Sequence, residues 1–397
     1  MHLAIISPFP PTITGVGQYG FHITRSLANS GFFKQINVLS SGSKASEFPD
    51  LRSTKIENAW QPNQANARQN ILARVKQLDP DLVWFNVRMG MFGKSPWLNM
   101  NGLAAIMQLR SMGYPTVVTL HEMIESADLR GLNAPGGMLA PFGARLLTDM
   151  ATQADIVCLT MRSHADLISS KRPDVDCVHI PLGAYHEPVL LDEPEKPELL
   201  LFNMLAPFKG VELLLEAFSS LKPEFPDLRL TIAGEEHPRF PGYPQALRRR
   251  FEGIKDVRWT GKVADEDVKH LFQRAQIVVL PYLASTGASS VLYQAATWGR
   301  AVTASNLGEI RTLARENNFQ VEFFESGSVE GLQKALRILL SSPVLRRVQA
   351  ENNFRAVQNS RLDLTCQRYI QAFNSALEKH RITKRIPVPN YAGTRPL

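Results

Sequence analysis

The feature that most constrains this sequence is the alternation of short apolar runs with segments of helical periodicity. In the first half of the chain the apolar runs are residues 3–6, 36–39, 81–85, 116–120 and 155–159. Segments with apolar residues at helical spacing follow most of them, over residues 17–30, 67–78, 103–112 and 140–152. Apolar strands that alternate with helices indicate a parallel sheet covered by helices on both faces. The first half is therefore predicted to be a doubly wound α/β domain.

The same alternation restarts after a polar, proline-interrupted stretch between His186 and Glu198. Its apolar runs are residues 199–202, 228–233, 257–260, 277–280 and 301–304, and closing helices are predicted over 332–340 and 344–359. Such a stretch is typical of a connection between domains. We expect an α/β fold of two Rossmann-like doubly wound parallel-sheet domains that face a cleft, residues 1–187 and 188–397. A last amphipathic helix is predicted over residues 364–377, and its apolar face makes it a candidate for contact with a membrane surface.

The net charge of +7 comes from 44 basic against 37 acidic residues, and it is concentrated at the end of the chain. Residues 379–397 contain five basic residues and no acid, which leaves 39 basic against 37 acidic residues elsewhere. A nucleic-acid-binding domain carries its basic residues as a patch on the folded body, so no nucleic-acid partner is expected. The basic tail is predicted to be solvated, with contact to an anionic membrane surface as the alternative.

The cysteines and the lengths of the apolar stretches indicate the cellular compartment of the protein. Cys158, Cys177 and Cys366 are an odd number at unrelated spacings, which excludes a disulfide framework and a paired-cysteine metal site. No apolar stretch is long enough to span a bilayer, and no basic segment precedes the first apolar run. The sequence predicts a cytoplasmic protein whose membrane association, if any, is peripheral.

Two loops that each join a strand to a helix carry candidate phosphate-binding residues. Gly15 and Gly17 open the first predicted helix, where backbone amides and the helix dipole favour an anion; a turn that needs flexible glycines is the alternative. No carboxylate ends the next strand at residues 36–39, which argues against a dinucleotide site. Lys209 begins the corresponding helix of the second half and is predicted to neutralise a phosphate.

These loops and further segments resemble the retaining GT-B glycosyltransferases of family 4, the glycosyl transferases group 1. The matching segments, in chain order, are residues 15–19, 118–122, 180–183, 209–218, 230–234, 259–263, 277–281, 299–302 and 332–347. Residues 209–218, KGVELLLEAF, carry the most specific match. Each segment is short, and their common order along both halves gives the resemblance its weight.

The resemblance implies a metal-independent hexosyltransferase that moves a sugar, with retention, from a UDP- or GDP-sugar to an acceptor hydroxyl. The second domain would bind this donor, and the first would bind a glycan, a lipid-linked molecule or a small molecule. His121 and Lys209 are the implied catalytic residues. The implied donor-binding residues are Gly15, Gly17, Lys209, Lys262, Val263, Thr286, Gly287, Ser289, Ser290, Val291 and Gln294. No cofactor other than the donor is expected. In the fold that the resemblance implies, the last helix, residues 364–377, crosses back to the first domain and packs there.

The donor signature of the family departs from its usual form in this chain. Thr286 and Gln294 stand where the pattern E-G-F-G-x-x-x-x-E-A has its two glutamates, and Met204 replaces a phosphate-binding arginine. A subset of the family with Pro-Tyr before this segment also lacks the glutamates, and Tyr282 fits that subset. Arg88 is a candidate substitute for the arginine. The losses leave a second hypothesis open, a catalytically inactive GT-B scaffold that acts as a binding or assembly subunit.

Acidic residues near the predicted cleft give no metal-binding pattern. Glu122, Glu125 and Asp128 follow His121 on a loop and are candidates for contact with an acceptor. The segment 79–81, Asp-Pro-Asp, resembles a metal motif in its letters alone, because it precedes a strand where such a sequence commonly ends a helix. No metal site is therefore predicted.

Overall fold

The computed structural model describes residues 1–10, 14–41, 51, 53–125 and 140–385, and the first half of the chain forms one sheet. Its strands are β1 (His2–Ile6), β2 (Gln35–Ser41), β3 (Thr54–Trp60), β4 (Leu82–Val87), β5 (Thr116–Leu120), β6 (Ile156–Leu159) and β7 (Cys177–His179). All pairings are parallel, in the order β3-β2-β1-β4-β5-β6-β7. The strand order reverses between β1 and β4, where open α/β sheets place their ligand crevice.

Both faces of this sheet are buried. Its helices are α1 (Gly15–Asn29), α2 (Ala67–Leu78), α3 (Pro96–Ser111), α4 (Ala140–Ala151) and α5 (Arg162–Lys171). Because successive strand residues point to opposite faces, Ile5 and Trp84 join one core cluster with α1, whereas Ala4 and Phe85 join another with α2 and α3. The near-continuous apolar strands of the sequence follow from this burial on two sides.

The second half of the chain repeats the architecture. Its strands are β8 (Glu198–Phe202), β9 (Arg229–Ala233), β10 (Val257–Gly261), β11 (Ile277–Leu280), β12 (Ala301–Ser305) and β13 (Glu322–Phe324), parallel in the order β10-β9-β8-β11-β12-β13. Its helices are α6 (Val211–Leu221), α7 (Tyr243–Arg250), α8 (Val268–Arg274), α9 (Ser290–Thr297), α10 (Gly308–Glu316), α11 (Val329–Ser341) and α12 (Pro343–Val357). The predicted fold of two parallel-sheet α/β domains is thus confirmed. The boundary predicted at residue 188 falls between β7 and β8.

The last helix, α13 (Leu362–Arg385), packs against α1, β5 and β6 of the first domain. The Tyr369 hydroxyl lies 2.7 Å from that of Tyr19 and 2.9 Å from that of Thr119. Beyond residue 377, where the sequence predicted its end, Lys379 pairs with Asp176 of the first domain. The helix therefore includes the first part of the predicted basic tail, and residues 386–397 lie outside the described residues. Among the described residues, no helix has the length and apolar content needed to cross a bilayer.

Candidate active site

A buried asparagine connects three loops at the carboxyl ends of the first sheet. Asn86, near the end of β4, donates from Nδ2 to the Ser7 hydroxyl at 2.8 Å and to the Val16 carbonyl at 2.9 Å. Its Oδ1 atom lies 2.6 Å from His121 Nε2. The loop after β1, the start of α1 and the end of β5 are thereby held to one side chain. Sequence reasoning missed this residue, although a polar residue within a buried apolar run is a signal of such a role.

The hydrogen bond to Asn86 fixes the tautomer of His121. Because an amide oxygen only accepts hydrogen bonds, Nε2 carries the proton and Nδ1 is the unprotonated nitrogen of the neutral ring. Burial lowers the pKa of His121 to about 3, and the Tyr19 ring packs edge-on at 4.7 Å between centroids. His121 is therefore a neutral imidazole that can accept a hydrogen bond at Nδ1.

The glycine-containing loop at the start of α1 is built mainly by capping. Thr14 is the N-cap residue, and its side-chain oxygen accepts from the Gly17 amide at 2.9 Å, so this amide is already used within the helix turn. Gly15 is exposed, with no atom within 4 Å of the position of an added Cβ. At Gly20 a Cβ would lie 2.6 Å from Ser7 Oγ. The absence of a side chain at Gly20 therefore allows α1 to approach Ser7 and Asn86 closely.

Lys209 lies in the other domain, in a short 3-10 turn between β8 and α6. Its ammonium lies 4.0 Å from the centroid of the Tyr282 ring and 5.6 Å from that of Phe208. Within the described chain no carboxylate pairs with it, and burial lowers its pKa to about 8. Gly210 fixes the turn: its φ is +67°, and a Cβ there would lie 1.8 Å from the Pro281 carbonyl oxygen. The lysine is thus a desolvated cation held on an aromatic ring.

A loop after β9 brings further positive charge near Lys209. His237 packs edge-on to Phe208 at 5.7 Å and accepts from the Arg239 amide at 3.2 Å. Burial, together with the charges of Arg88, Arg239 and Lys209, lowers the pKa of His237 to about 4. Arg88 follows β4 in the first domain, so both domains contribute cations to this region. Sequence reasoning did not find Arg239, because its loop carries no motif.

The segment between β11 and α9 contains most of the predicted donor-binding residues. The Tyr282 hydroxyl accepts from Asn203 Nδ2 at 2.6 Å and lies 3.5 Å from Ser289 Oγ. Ser289 precedes α9, and Gln294 within α9 is 7% exposed. In the described part of the molecule, Gln294 Oε1 is a buried acceptor without a partner. The remaining predicted residues are Ser290 and Val291 in the first turn of α9, and Lys262, exposed, and Val263, half-buried, after β10.

The two domains meet directly at His121, Glu122 and the donor segment. Glu122 and Gly287 form an antiparallel backbone bridge, and the Met123 amide donates to the Thr286 carbonyl at 3.1 Å. A Cβ at Gly287 would lie 2.2 Å from the His121 carbonyl oxygen, so this approach requires glycine. Two of the predicted residues, His121 and Gly287, are thereby brought into contact across the cleft.

The three acidic candidates after His121 have different environments. Glu122 Oε1 accepts from the Met89 amide at 2.9 Å, and its Oε2 accepts from the Thr286 hydroxyl at 3.4 Å. Glu125 pairs with Lys171 at 3.0 Å and with Arg172 at 2.8 Å, and is therefore occupied. Asp128 lies outside the described residues.

One cluster has the residue types of a metal site, but the protonation state of its histidine His22 does not suit metal binding. His22 Nε2 and His186 Nε2 lie 3.3 and 3.4 Å from Asp265 Oδ1. Arg25, which only donates, lies 3.1 Å from His22 Nδ1, so the proton of the neutral ring is on Nε2. A metal-bound histidine needs the opposite arrangement, with its outer nitrogen donating. The cluster therefore fits a junction between the domains better than a metal centre.

The Asp-Pro-Asp segment has a structural role. Asp79 ends α2 in the left-handed conformation at φ 42°, and its carboxylate accepts from the Tyr114 hydroxyl at 3.2 Å. Asp81 accepts from the His2 amide at 2.7 Å. Both residues precede β4 and thus lie at the amino ends of the strands, whereas the crevice lies at the carboxyl ends.

Comparison with known proteins agrees with this architecture. Residues 196–342 match the family model described as Glycosyl transferases group 1. Phosphatidyl-myo-inositol mannosyltransferase of Mycobacterium leprae is 26% identical over 60% of this chain and 61% of its own length. The next two curated relatives are aligned over about half of their lengths. Glycogen synthase of Mycobacterium tuberculosis is 24% identical over 88% of each chain.

Solved structures resemble the whole chain. Sucrose-phosphate synthase of Thermosynechococcus elongatus has a TM-score of 0.74 at 15% identity, covering 96% of this chain and 100% of that one. Anabaena HepE, solved with UDP-glucose, has a TM-score of 0.71 at 15% identity, covering 94% and 100%. Residues 196–342 therefore resemble the group 1 glycosyl transferases, and the chain as a whole has the GT-B fold.

Proposed function

We propose that this protein is a retaining glycosyltransferase that moves a sugar from a nucleoside-diphosphate sugar to an acceptor hydroxyl without a metal ion. The observation that carries the proposal is the Lys209 ammonium, which is desolvated, has no carboxylate partner in the described chain and lies at the strand-to-helix turn of the family domain. A desolvated cation without a counter-ion is costly. An anionic ligand would remove that cost.

The leaving group of the proposed reaction is a nucleoside diphosphate, whose negative charge grows as the sugar bond breaks. Positive groups that are already in place stabilise such charge without reorganising. Lys209, Arg239 and Arg88 are the cations that we assign to this task, since all three act electrostatically on His237. Arg239 and Arg88 would take over the role of the family arginine that Met204 replaces. This arrangement supports metal-independent transfer.

The nucleoside and the sugar would contact different groups. Gln294 Oε1, a buried acceptor without a partner in the described chain, suits a ribose hydroxyl as donor. The Nδ1 atom of His121 suits a hydroxyl of the transferred sugar, because the neutral ring accepts a hydrogen bond there. We assign the acceptor to the first domain. The candidate acceptors are a glycan, a lipid-linked molecule and a small molecule. The name of the mannosyltransferase relative includes a phosphatidylinositol, so a lipid acceptor is the first to test.

The proposal is tested by thermal unfolding with UDP, GDP, ADP and CMP at millimolar concentration. A ligand at about 100 times its dissociation constant raises the free energy of unfolding by about 2.7 kcal/mol. We expect stabilisation by one diphosphate, its loss in Lys209→Ala, and its retention in Lys334→Ala, which removes an exposed lysine of α11. Stabilisation by none of them would contradict the donor site and favour the inactive scaffold.

A further inference from the structure

We propose that Glu122, a residue of the first domain, binds hydroxyl groups of the transferred sugar and supplies the carboxylate that the donor segment lacks. The inference rests on the proposed function. Its starting observation is the contact between Glu122 Oε2 and the Thr286 hydroxyl at 3.4 Å. Thr286 stands where the donor signature has its first glutamate, so a carboxylate is present beside this position although it comes from another part of the chain.

The backbone holds Glu122 at this place. The bridge between Glu122 and Gly287 and the hydrogen bond from the Met123 amide to the Thr286 carbonyl align the two segments on both sides of the carboxylate. The close approach of Gly287 to the His121 carbonyl leaves no room for a side chain between them. Glu122 therefore cannot leave the donor segment without separation of the two domains at this junction.

The hydrogen-bonding capacity of Glu122 is only partly used. An ionised carboxylate has about four acceptor positions. Glu122 accepts one bond from the Met89 amide and one long bond from the Thr286 hydroxyl. The first is of ordinary length and orients the group, whereas the second, at 3.4 Å, is easily exchanged for a better donor. Positions thus remain for sugar hydroxyls, whose bonds to a carboxylate are roughly twice as strong as bonds to a neutral acceptor.

The neighbouring His121 gives the site a second acceptor. Glu122 follows His121 directly, and the ring is fixed by Asn86 with Nδ1 unprotonated. A sugar presents several hydroxyl donors, so a neutral imidazole and a carboxylate on consecutive residues at the end of β5 match that chemistry. A glutamate at position 286 would stand against Glu122 and the two like charges would repel each other. The uncharged Thr286 avoids this conflict.

The experiment is a double-variant cycle with Glu122→Gln, Thr286→Glu and the combined variant. Binding is measured by calorimetry with UDP and UDP-glucose, or with GDP and GDP-mannose if the guanine nucleotide stabilises the protein. Glutamine keeps the size of the side chain and one acceptor oxygen for the Met89 amide. Glu330→Gln, on the exposed face of α11, is the matched control.

We expect Glu122→Gln to weaken binding of the nucleotide sugar about 10-fold, which corresponds to about 1.4 kcal/mol. Affinity for the nucleoside diphosphate alone should change less than about 2-fold, because Glu122 contacts only the sugar. In the wild-type background, Thr286→Glu should weaken binding of the nucleotide sugar. In the Glu122→Gln background, the same substitution should restore at least half of the lost binding free energy.

A purely structural role predicts a different result. Equal losses for nucleotide and nucleotide sugar, or no restoration by Thr286→Glu, would overturn the inference while leaving the proposed function intact. Absence of binding of every nucleotide and nucleotide sugar to the wild-type protein would overturn the proposed function and this inference with it.

Discussion

The Nε2 atom of His121 lies 2.6 Å from the Oδ1 atom of Asn86, and this contact decides which ring nitrogen of the neutral histidine carries the proton. The amide group offers no negative charge, so burial is the cause of the lowered pKa of about 3. A neutral His121 cannot serve as an acid near neutral pH. Its role in the cleft is to accept hydrogen bonds and to hold its ring in one orientation.

Replacement of Asn86 by aspartate should reverse this state. Asn86→Asp places a carboxylate beside Nε2, and an opposite charge at hydrogen-bond distance favours the protonated ring. We expect the pKa of His121 to rise by at least about 2 units, which NMR titration of the ring protons measures. Activity should fall, because Nδ1 then carries a proton and the Ser7 and Val16 partners of the amide lose their donor.

An unchanged His121 pKa in Asn86→Asp would contradict the hydrogen bond on which the assignment rests. His270→Gln is the control variant, since His270 is exposed on α8 and its loss should leave the His121 titration as it is.

Gly287 provides a test of the close approach between the domains. A Cβ at this position would lie 2.2 Å from the His121 carbonyl oxygen, so Gly287→Ala must move the donor segment away from the first domain. We expect a loss of transfer activity of at least about 100-fold, because misplacement of groups by about 1 Å has that effect. Gly253→Ala, with no atom within 4 Å of the added Cβ, is the matched control.

Comparison of activity with the melting temperature distinguishes a change in the site from a loss of the fold. Each domain retains its own sheet in Gly287→Ala, so the melting temperature should change little compared with activity. Full activity in this variant would show that the His121–Gly287 contact does not constrain the reacting groups.

Several elements of the fold follow from the sequence, and the exceptions have a common physical reason. The apolar runs predicted β1, β2, β4 to β6, β8, β9, β11 and β12, which are largely buried. They also predicted β10, a half-exposed edge strand. The alternation did not predict β3, β7 and β13, which are the edge or near-terminal strands of their sheets. β7 and β13 have three residues each, and β3 is largely half-exposed. Their apolar signal is therefore weak.

The site shows a similar limit. Motifs indicated His121, Lys209 and the segment around Thr286, because each lies at the end of a strand or the start of a helix. No motif indicated Asn86 or the partnership of Glu122 with Thr286. These depend on contacts between segments that are far apart in sequence, and a single sequence does not contain such distances.

The pH dependence of nucleotide binding should report on Lys209. Burial lowers the pKa of its ammonium to about 8, and only the charged form attracts a diphosphate. Affinity for the stabilising nucleotide should therefore be constant below about pH 7 and decrease above about pH 8. Calorimetric titrations between about pH 6.5 and about pH 9.5, a range that brackets the lysine pKa, measure this profile.

The matched variant is Lys209→Arg. A guanidinium remains charged throughout this range, so the decrease above about pH 8 should disappear even if the affinity itself is lower. A wild-type affinity that is unchanged up to about pH 9.5 would contradict a role for the Lys209 charge.

Acid should destabilise this fold earlier than carboxylate protonation alone would predict. Burial is the main cause that lowers the pKa of His121 to about 3, and those of His164, His186 and His237 to about 4. In the unfolded chain these histidines bind protons near pH 6.5. The unfolded state thus binds more protons than the folded state below that pH, and the stability present above about pH 6.5 is lost as the pH falls towards about 4.

His164 is the most direct test of this effect, because it is 7% exposed on α5 and its Nδ1 has no partner among the described atoms. In His164→Gln the slope of the unfolding free energy against pH between about 4.5 and 6 should decrease by up to about 1.4 kcal/mol per pH unit, the value for one proton. Urea unfolding at several pH values measures the slope. His270→Gln should leave it unchanged, since that ring is exposed. Equal slopes in all three proteins would mean that His164 takes up its proton in the folded state as readily as in the unfolded chain.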